Sequence, residues 1–192
     1  MHGLASALCW AAGLAIAERN PAEVDRFASE LIELSTRHNF VYYLAIGTIH
    51  RGWARSVSGD TAEGIPWIEQ GIRDIRATAV LGMPYNLTLK AEALHLADRT
   101  SEALEAINEA EALVERFEQR NVLSRLHRLR GVFLAALGAE EAKIDASFCE
   151  AIRIAREQKS ISMAKRAEGT YAEYRHQKAS ASGGREFRLP FW

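Results

Sequence analysis

Small and apolar residues recur along this chain in a pattern that repeats about every forty positions. The segments "GLAIAERN" from Gly13, "GWARSVSG" from Gly52, "AEALHLAD" from Ala91 and "GVFLAALG" from Gly131 each open on Gly or Ala and close seven residues later on Asn20, Gly59, Asp98 or Gly138. Asn, Asp and Gly tolerate the left-handed backbone that ends a helix. From Gly52, further small or apolar residues follow at +12, +16 and +19 as Gly64, Ile68 and Gly71; from Ala91 they are Ala103, Ile107 and Ala110. From Gly131 they come one residue late, as Ile144, Phe148 and Ala151. From Gly13 they come one early, as Val24, Ala28 and Leu31. Such spacing predicts two antiparallel helices per unit, with small residues admitting close approach and a large apolar residue filling the space between.

The resulting map has helices at 3–19 and 21–38, 41–58 and 61–80, 85–98 and 100–118, and 122–138 and 140–158, followed by a lone closing helix at 160–178. Pro21 suits a helix start. Pro66 lies within the first turns of the fourth helix, which implies a later start or a kink there. The predicted fold is all-α, an α-α superhelix of about four hairpins plus a capping helix over 1–178. Residues 179–192 form a tail whose Ser/Gly-rich part, 180–184, is a flexible linker, and whose apolar end "FRLPFW" docks in part on the last helix.

Composition agrees: alanine, leucine, glutamate and arginine favour helix over strand. The net charge of -1 excludes a strong global field toward nucleic acid or membrane. Charge is uneven, however. Residues 151–192 carry nine Lys/Arg against four Asp/Glu, while residues 1–150 are net acidic. A basic C-terminal end keeps open an alternative in which this is a helical nucleic-acid binder. The apolar run Leu4–Ala17 ends in Ala15-Ile16-Ala17, a signal-cleavage pattern, but "MHG" before it lacks Lys and Arg, and the run has a place in the repeat. A cytoplasmic location follows, with no membrane partner.

Motifs for chemistry are few. "GDTAEGIP" from Gly59 has the glycine spacing of a phosphate loop, but Ile65 and Pro66 stand where its lysine and hydroxyl belong. Instead, Gly59 ends one helix, Asp60-Thr61-Ala62-Glu63 caps and starts the next, and Gly64 is a packing position. Cys9 and Cys149 read as small core residues. The six histidines form no metal pair, and the carboxylates Glu140 and Glu141 read as helix N-terminal charge. The expectation is a chain with no catalytic residue, no cofactor and no metal.

A helix pair ending at Gly or Asn whose second helix carries A-x₃-F-x₂-A, as in "GVFLAALG…ASFCEAI" and "AEALHLAD…EALEAINEA", resembles the tetratricopeptide repeat (TPR), although the period here is longer than the usual length of about 34 residues. "HRGWARS", "LHRLRGVFLAALG" and "AEYRHQKASASGGREFRLPFW" further resemble repeat regions of large bacterial signalling proteins. There, a nucleotidyl cyclase or winged-helix domain and an ATPase domain precede the repeats. The resemblance implies a non-catalytic scaffold or sensor that binds a protein or peptide, with ATPase or cyclase domains in the same or a neighbouring polypeptide. None of their motifs occurs here.

In stacked hairpins the first helices line the concave face. Counting from each small packing residue places Trp53, then Tyr85, Glu92 and His95, then Arg125 and Arg128 in that groove. The arginines suit a carboxylate or acidic peptide, and Trp53 and Tyr85 suit anchoring. The competing reading makes Trp53 core and has the arginines pair with Glu92 or face water.

Overall fold

The computed structural model of the chain describes residues 1–78 and 82–180. The expected linker and apolar end lie, from residue 181 on, outside them. Among the described residues there is no strand. The elements are α1 (His2–Ala17), α2 (Pro21–His38), α3 (Val41–Val57), α4 (Thr61–Thr78), α5 (Met83–Leu96), α6 (Thr100–Phe117), a 3₁₀ turn at Arg120–Val122, α7 (Leu123–Ala136), α8 (Glu141–Glu157) and α9 (Ile161–Ser180). The all-α expectation holds, and each predicted helix is found within a few residues of its expected ends. The fourth helix starts at Thr61 and runs through Pro66.

Left-handed residues punctuate the chain at half the repeat length: Arg19, Asn39, Gly59, Asp98, Glu118, Gly138 and Lys159 all have positive φ. After α1, α3, α5, α7 and α8 the chain closes with a paired hydrogen-bond motif. Gly59 N–H donates to Ser56 O and Asp60 N–H to Arg55 O, for example, which satisfies helix-end carbonyls. Arginine, glutamate and lysine at three of these stops carry a left-handed strain of about 1–2 kcal/mol each. Starts are capped as well: Asn20 Oδ1 accepts from Glu23 N–H at 3.2 Å, and Asp60 Oδ1 from Glu63 N–H at 3.0 Å.

The first repeat needs a correction. The left-handed stop is Arg19, whereas Asn20 has φ -107 and caps α2. The small packing residue is Ala12, fully buried, whereas Gly13 has open space where a side chain would go. Counting from Ala12 puts Val24, Ala28 and Leu31 at +12, +16 and +19, and all three are fully buried. The repeat therefore runs from Ala12, Gly52, Ala91 and Gly131. The glycine at 13 misled because glycine is the stronger packing signal in a sequence.

Two compact units are present, Met1–Arg99 and Thr100–Trp192. Their boundary falls in the turn between α5 and α6, the helices expected to form the third hairpin. In the first unit each helix packs on its neighbour in sequence, and the first helices of the hairpins also pack side by side, α1 on α3 and α3 on α5. The closest approach is between α3 and α4. A Cβ on Gly52 would lie 2.6 Å from Gly64 O, and one on Gly64 would lie 2.4 Å from Gly52 O. These two backbones touch, and Ile68, fully buried, fills the space beside them. In the second unit α7 packs on α6 and α8, and α9 on α8 and α7. Gly131 there lies against the Phe148 ring, which stacks on Tyr171 of α9 at 5.2 Å. Ser124 Oγ donates to Ala151 O across the α7–α8 contact.

Two substitutions separate the roles of these glycines. Gly52→Ala forces a methyl against a backbone oxygen and should destabilise the chain by about 3 kcal/mol. Gly13→Ala meets nothing and should stabilise α1 by about 0.5–1 kcal/mol. Urea unfolding of the two variants checks both signs.

Candidate functional site

The repeat sets Trp53 and Glu92 at the same register position, one after the small residue, on neighbouring helices of the first unit. Trp53 Nε1 donates to Glu92 Oε2 at 2.9 Å. Arg19, turned inward by its left-handed backbone at the end of α1, grips the same carboxylate with both terminal nitrogens, Nη1 to Oε2 at 2.7 Å and Nη2 to Oε1 at 3.0 Å. Its guanidinium carbon stands 5.7 Å from the Trp53 ring centroid. Two polar groups, one from the end of α1 and one from α3, thus converge on a buried carboxylate of α5, whose side chain is 1% exposed. Burial of this charge is tolerable because it is paired in a forked geometry and hydrogen-bonded.

The structure places the other candidates as follows. Tyr85 and His95 lie on α5 and are half-buried. Burial lowers the His95 pKa, with Asp98 opposing, so the imidazole is neutral at pH 7. Arg125 and Arg128 belong to the second unit, one turn apart on α7, and both are buried. Among the six residues, the coordinates bring Trp53 and Glu92 into direct contact and add Arg19, which reading the first stop as Asn20 concealed.

A second feature escaped the sequence reading although its signal is local. A basic residue directly precedes the small packing residue in three repeats: Arg51-Gly52, Lys90-Ala91 and Arg130-Gly131. Each pairs with an acid on the preceding helix. Arg51 meets Asp25 at 3.2 Å, Lys90 meets Glu69 at 3.1 Å, and Arg130 meets Glu111 at 2.6 Å. These partly exposed pairs fix register more than they stabilise.

The basic C-terminal end is partly neutralised within its own unit. Arg153 lies between Glu150 and Glu157, Arg156 holds Glu168, and Lys178 holds Glu141. The expectation that both cysteines are core is corrected: Cys149 is exposed, because α8 turns Phe148 inward and its successor out, and Cys9 is half-buried. Burial pushes the Cys9 thiol up to about 11, which leaves little thiolate at neutral pH. Among the described residues no group of three or more His, Cys, Asp or Glu is placed to hold a metal ion, and no helix is long and apolar enough to cross a membrane.

Three comparisons bear on the class of fold. No family model matches the chain. An uncharacterized protein of Rhizobium meliloti (strain 1021) is 26% identical over 147 residues, which cover 76% of this chain; the match spans 14% of that protein's length. The crystal structure of Bacillus thuringiensis PlcR in complex with the peptide PapR7 and DNA aligns with a TM-score of 0.60 and 17% identity, covering 94% of this chain and 69% of that one. The shared fold is helical and TPR-like.

His50 stands two residues before Gly52, where the next repeats carry the fully buried Leu89 and Leu129. Burial pushes its pKa down to about 4, and its Nδ1 has no hydrogen-bond partner. A histidine whose folded pKa is depressed contributes no pH-dependent penalty above its unfolded value and destabilises as pH falls toward the folded one. Stability should therefore drop by about 2 kcal/mol between pH 7 and pH 5 through this residue. Denaturant unfolding of His50→Leu at both pH values should show that part of the slope removed. Glu92→Gln should cost about 3 kcal/mol by stranding the Arg19 charge, and Arg19→Met with Glu92→Leu should recover most of it. The same unfolding assay, run as a double-mutant cycle, checks this.

Proposed function

We propose that the chain is a non-catalytic, peptide- or protein-binding helical-repeat module of a signalling or transcription-regulating protein. The observation that carries this reading is the tie from Arg19 and Trp53 to Glu92. It locks the first helices of three successive hairpins side by side and leaves Tyr85 and His95 half-exposed on α5, one turn or two from the locked carboxylate. A rigid row of helices with aromatic and imidazole groups on a fixed backbone suits recognition with little ordering cost. Arg125 and Arg128 are buried on α7, so the reading for the second unit does not rest on them. The PlcR likeness supports the reading at the level of fold, and that protein was crystallised with a peptide. The matched Rhizobium protein is far longer than this chain, which supports a module within a larger protein; ATPase or cyclase domains as its neighbours rest on the sequence resemblance alone.

Selection of a displayed peptide library on the full chain tests this. A selected peptide should bind Tyr85→Ala or His95→Glu at least tenfold more weakly by calorimetry, with thermal stability unchanged. Selected peptides indifferent to both substitutions would remove this α5 surface from the account.

A further inference from the structure

Arg51 is followed one helical turn later by Arg55, and both guanidinium groups lie over the same indole ring. The Arg51 guanidinium carbon stands 4.9 Å from the Trp67 ring centroid, and that of Arg55 stands 6.0 Å from it. Cation–π contact fixes two otherwise long and mobile side chains. Acids lie at their inner ends. Arg51 Nε donates to Asp25 Oδ1 of α2 at 3.2 Å. Arg55 Nε is 3.9 Å from Glu63 Oε2 of α4, too far for a hydrogen bond, and it is buried without a hydrogen-bond partner. Among the described residues the terminal nitrogens of both arginines have no hydrogen-bond partner either, while the side chains stay 30% and 41% exposed.

The other repeats are built differently here. Three residues after the small packing residue they carry Ala15, Leu94 and Leu134, and the register of Trp67 falls on Phe27, Ala106 and Ser147. Packing alone therefore does not call for arginine at 55. Arg130, at the register of Arg51, gives its Nη2 to Asn108 Oδ1 at 2.9 Å and to Glu111 Oε2 at 2.6 Å. Arg51 instead meets its acid through Nε alone, which keeps both terminal nitrogens for another acceptor.

Two guanidinium forks one turn apart suit a single compact oxyanion, because each fork can engage two of its oxygens. A phosphoryl group, with three acceptor oxygens and close to two negative charges at neutral pH, meets that demand better than a carboxylate. Asp25 and Glu63 flank the pair, so the charges run acid, arginine, arginine, acid. An extended polyanion would set its next charges against those carboxylates. A lone phosphoryl group with basic neighbours would find all of its charges matched.

We infer that Arg51, Arg55 and Trp67 form a binding site for a phosphorylated serine or threonine in a peptide segment that carries lysine or arginine on either side of it. The arginines hold the phosphoryl oxygens, and Trp67 holds the arginines. The site is made by α3 and α4 and uses neither Tyr85 nor His95, so it stands or falls independently of the α5 surface.

Nuclear magnetic resonance titration of the full chain, observed at the arginine Nε–H groups and the Trp67 indole N–H, tests this. The probes are the blocked peptide Lys-Gly-phosphoserine-Gly-Lys, its unphosphorylated form, inorganic phosphate and a short oligothymidylate. The phosphopeptide should shift the Arg51, Arg55 and Trp67 signals saturably and bind about tenfold more tightly than the plain peptide or inorganic phosphate. Arg51→Lys should weaken it about fivefold, with an unchanged thermal melt. Arg55→Leu, which installs the residue that α5 and α7 carry at this register, should keep the fold and abolish the Arg51 and Trp67 shifts. Equal binding of the phosphorylated and plain peptides would overturn the assignment. So would inorganic phosphate that matches the phosphopeptide, or Arg55→Leu that binds the phosphopeptide unchanged. Tighter binding of the oligothymidylate would overturn it too, since a nucleic-acid backbone would then be the ligand.

Discussion

The structure depends on one steric constraint: a hairpin's two helices must come close enough for backbone to touch backbone. At Gly52 and Gly64 each glycine occupies the space a side chain on the other would need. The same demand recurs in gentler form where Ala91 and Ala103 are fully buried, and where Gly131 makes room for the Phe148 ring. Once the small residues are fixed at a spacing near forty, a fully buried apolar residue at +16 or +17 (Ala28, Ile68, Ile107, Phe148) must fill the gap. The left-handed stop at +7 must turn the chain, and the residue at +1 must face the neighbouring hairpin. The convergence of Trp53 on Glu92 is a consequence of that register, because the two residues stand one repeat apart at the same position.

Most of the fold was legible because helix packing writes itself locally. Gly59, Asp98 and Gly138 end helices as their residue types require, and Ile68, Ile107 and Phe148 are the fully buried fillers the spacing implies. The first repeat was read one residue late, because Gly13 advertises packing more loudly than Ala12 does. The stops at Arg19, Glu118 and Lys159 left no trace in residue type: long polar side chains rarely accept a left-handed backbone, and here tertiary context overrides that preference.

The candidate site was legible in part. Register alone named Trp53 and Glu92, but it could not reveal that Glu92 lies buried under a forked Arg19, since Arg19 comes from 73 residues away in the chain. The recurring basic residue before each small position, by contrast, stood in plain view at 51, 90 and 130. It went unread because surface charge seldom carries packing information, whereas here it marks which face of each helix meets the one before. That mark is missing at Ala11, where α1 turns an uncharged, exposed face outward.

The most direct test of the central constraint is a proton–proton distance. In isotope-edited nuclear Overhauser spectra of the full chain, the Hα protons of Gly52 should give strong cross-peaks to those of Gly64, and Gly13 should give none to any residue outside α1. Absence of the Gly52–Gly64 cross-peaks, in spectra where both glycines are assigned, would contradict the account.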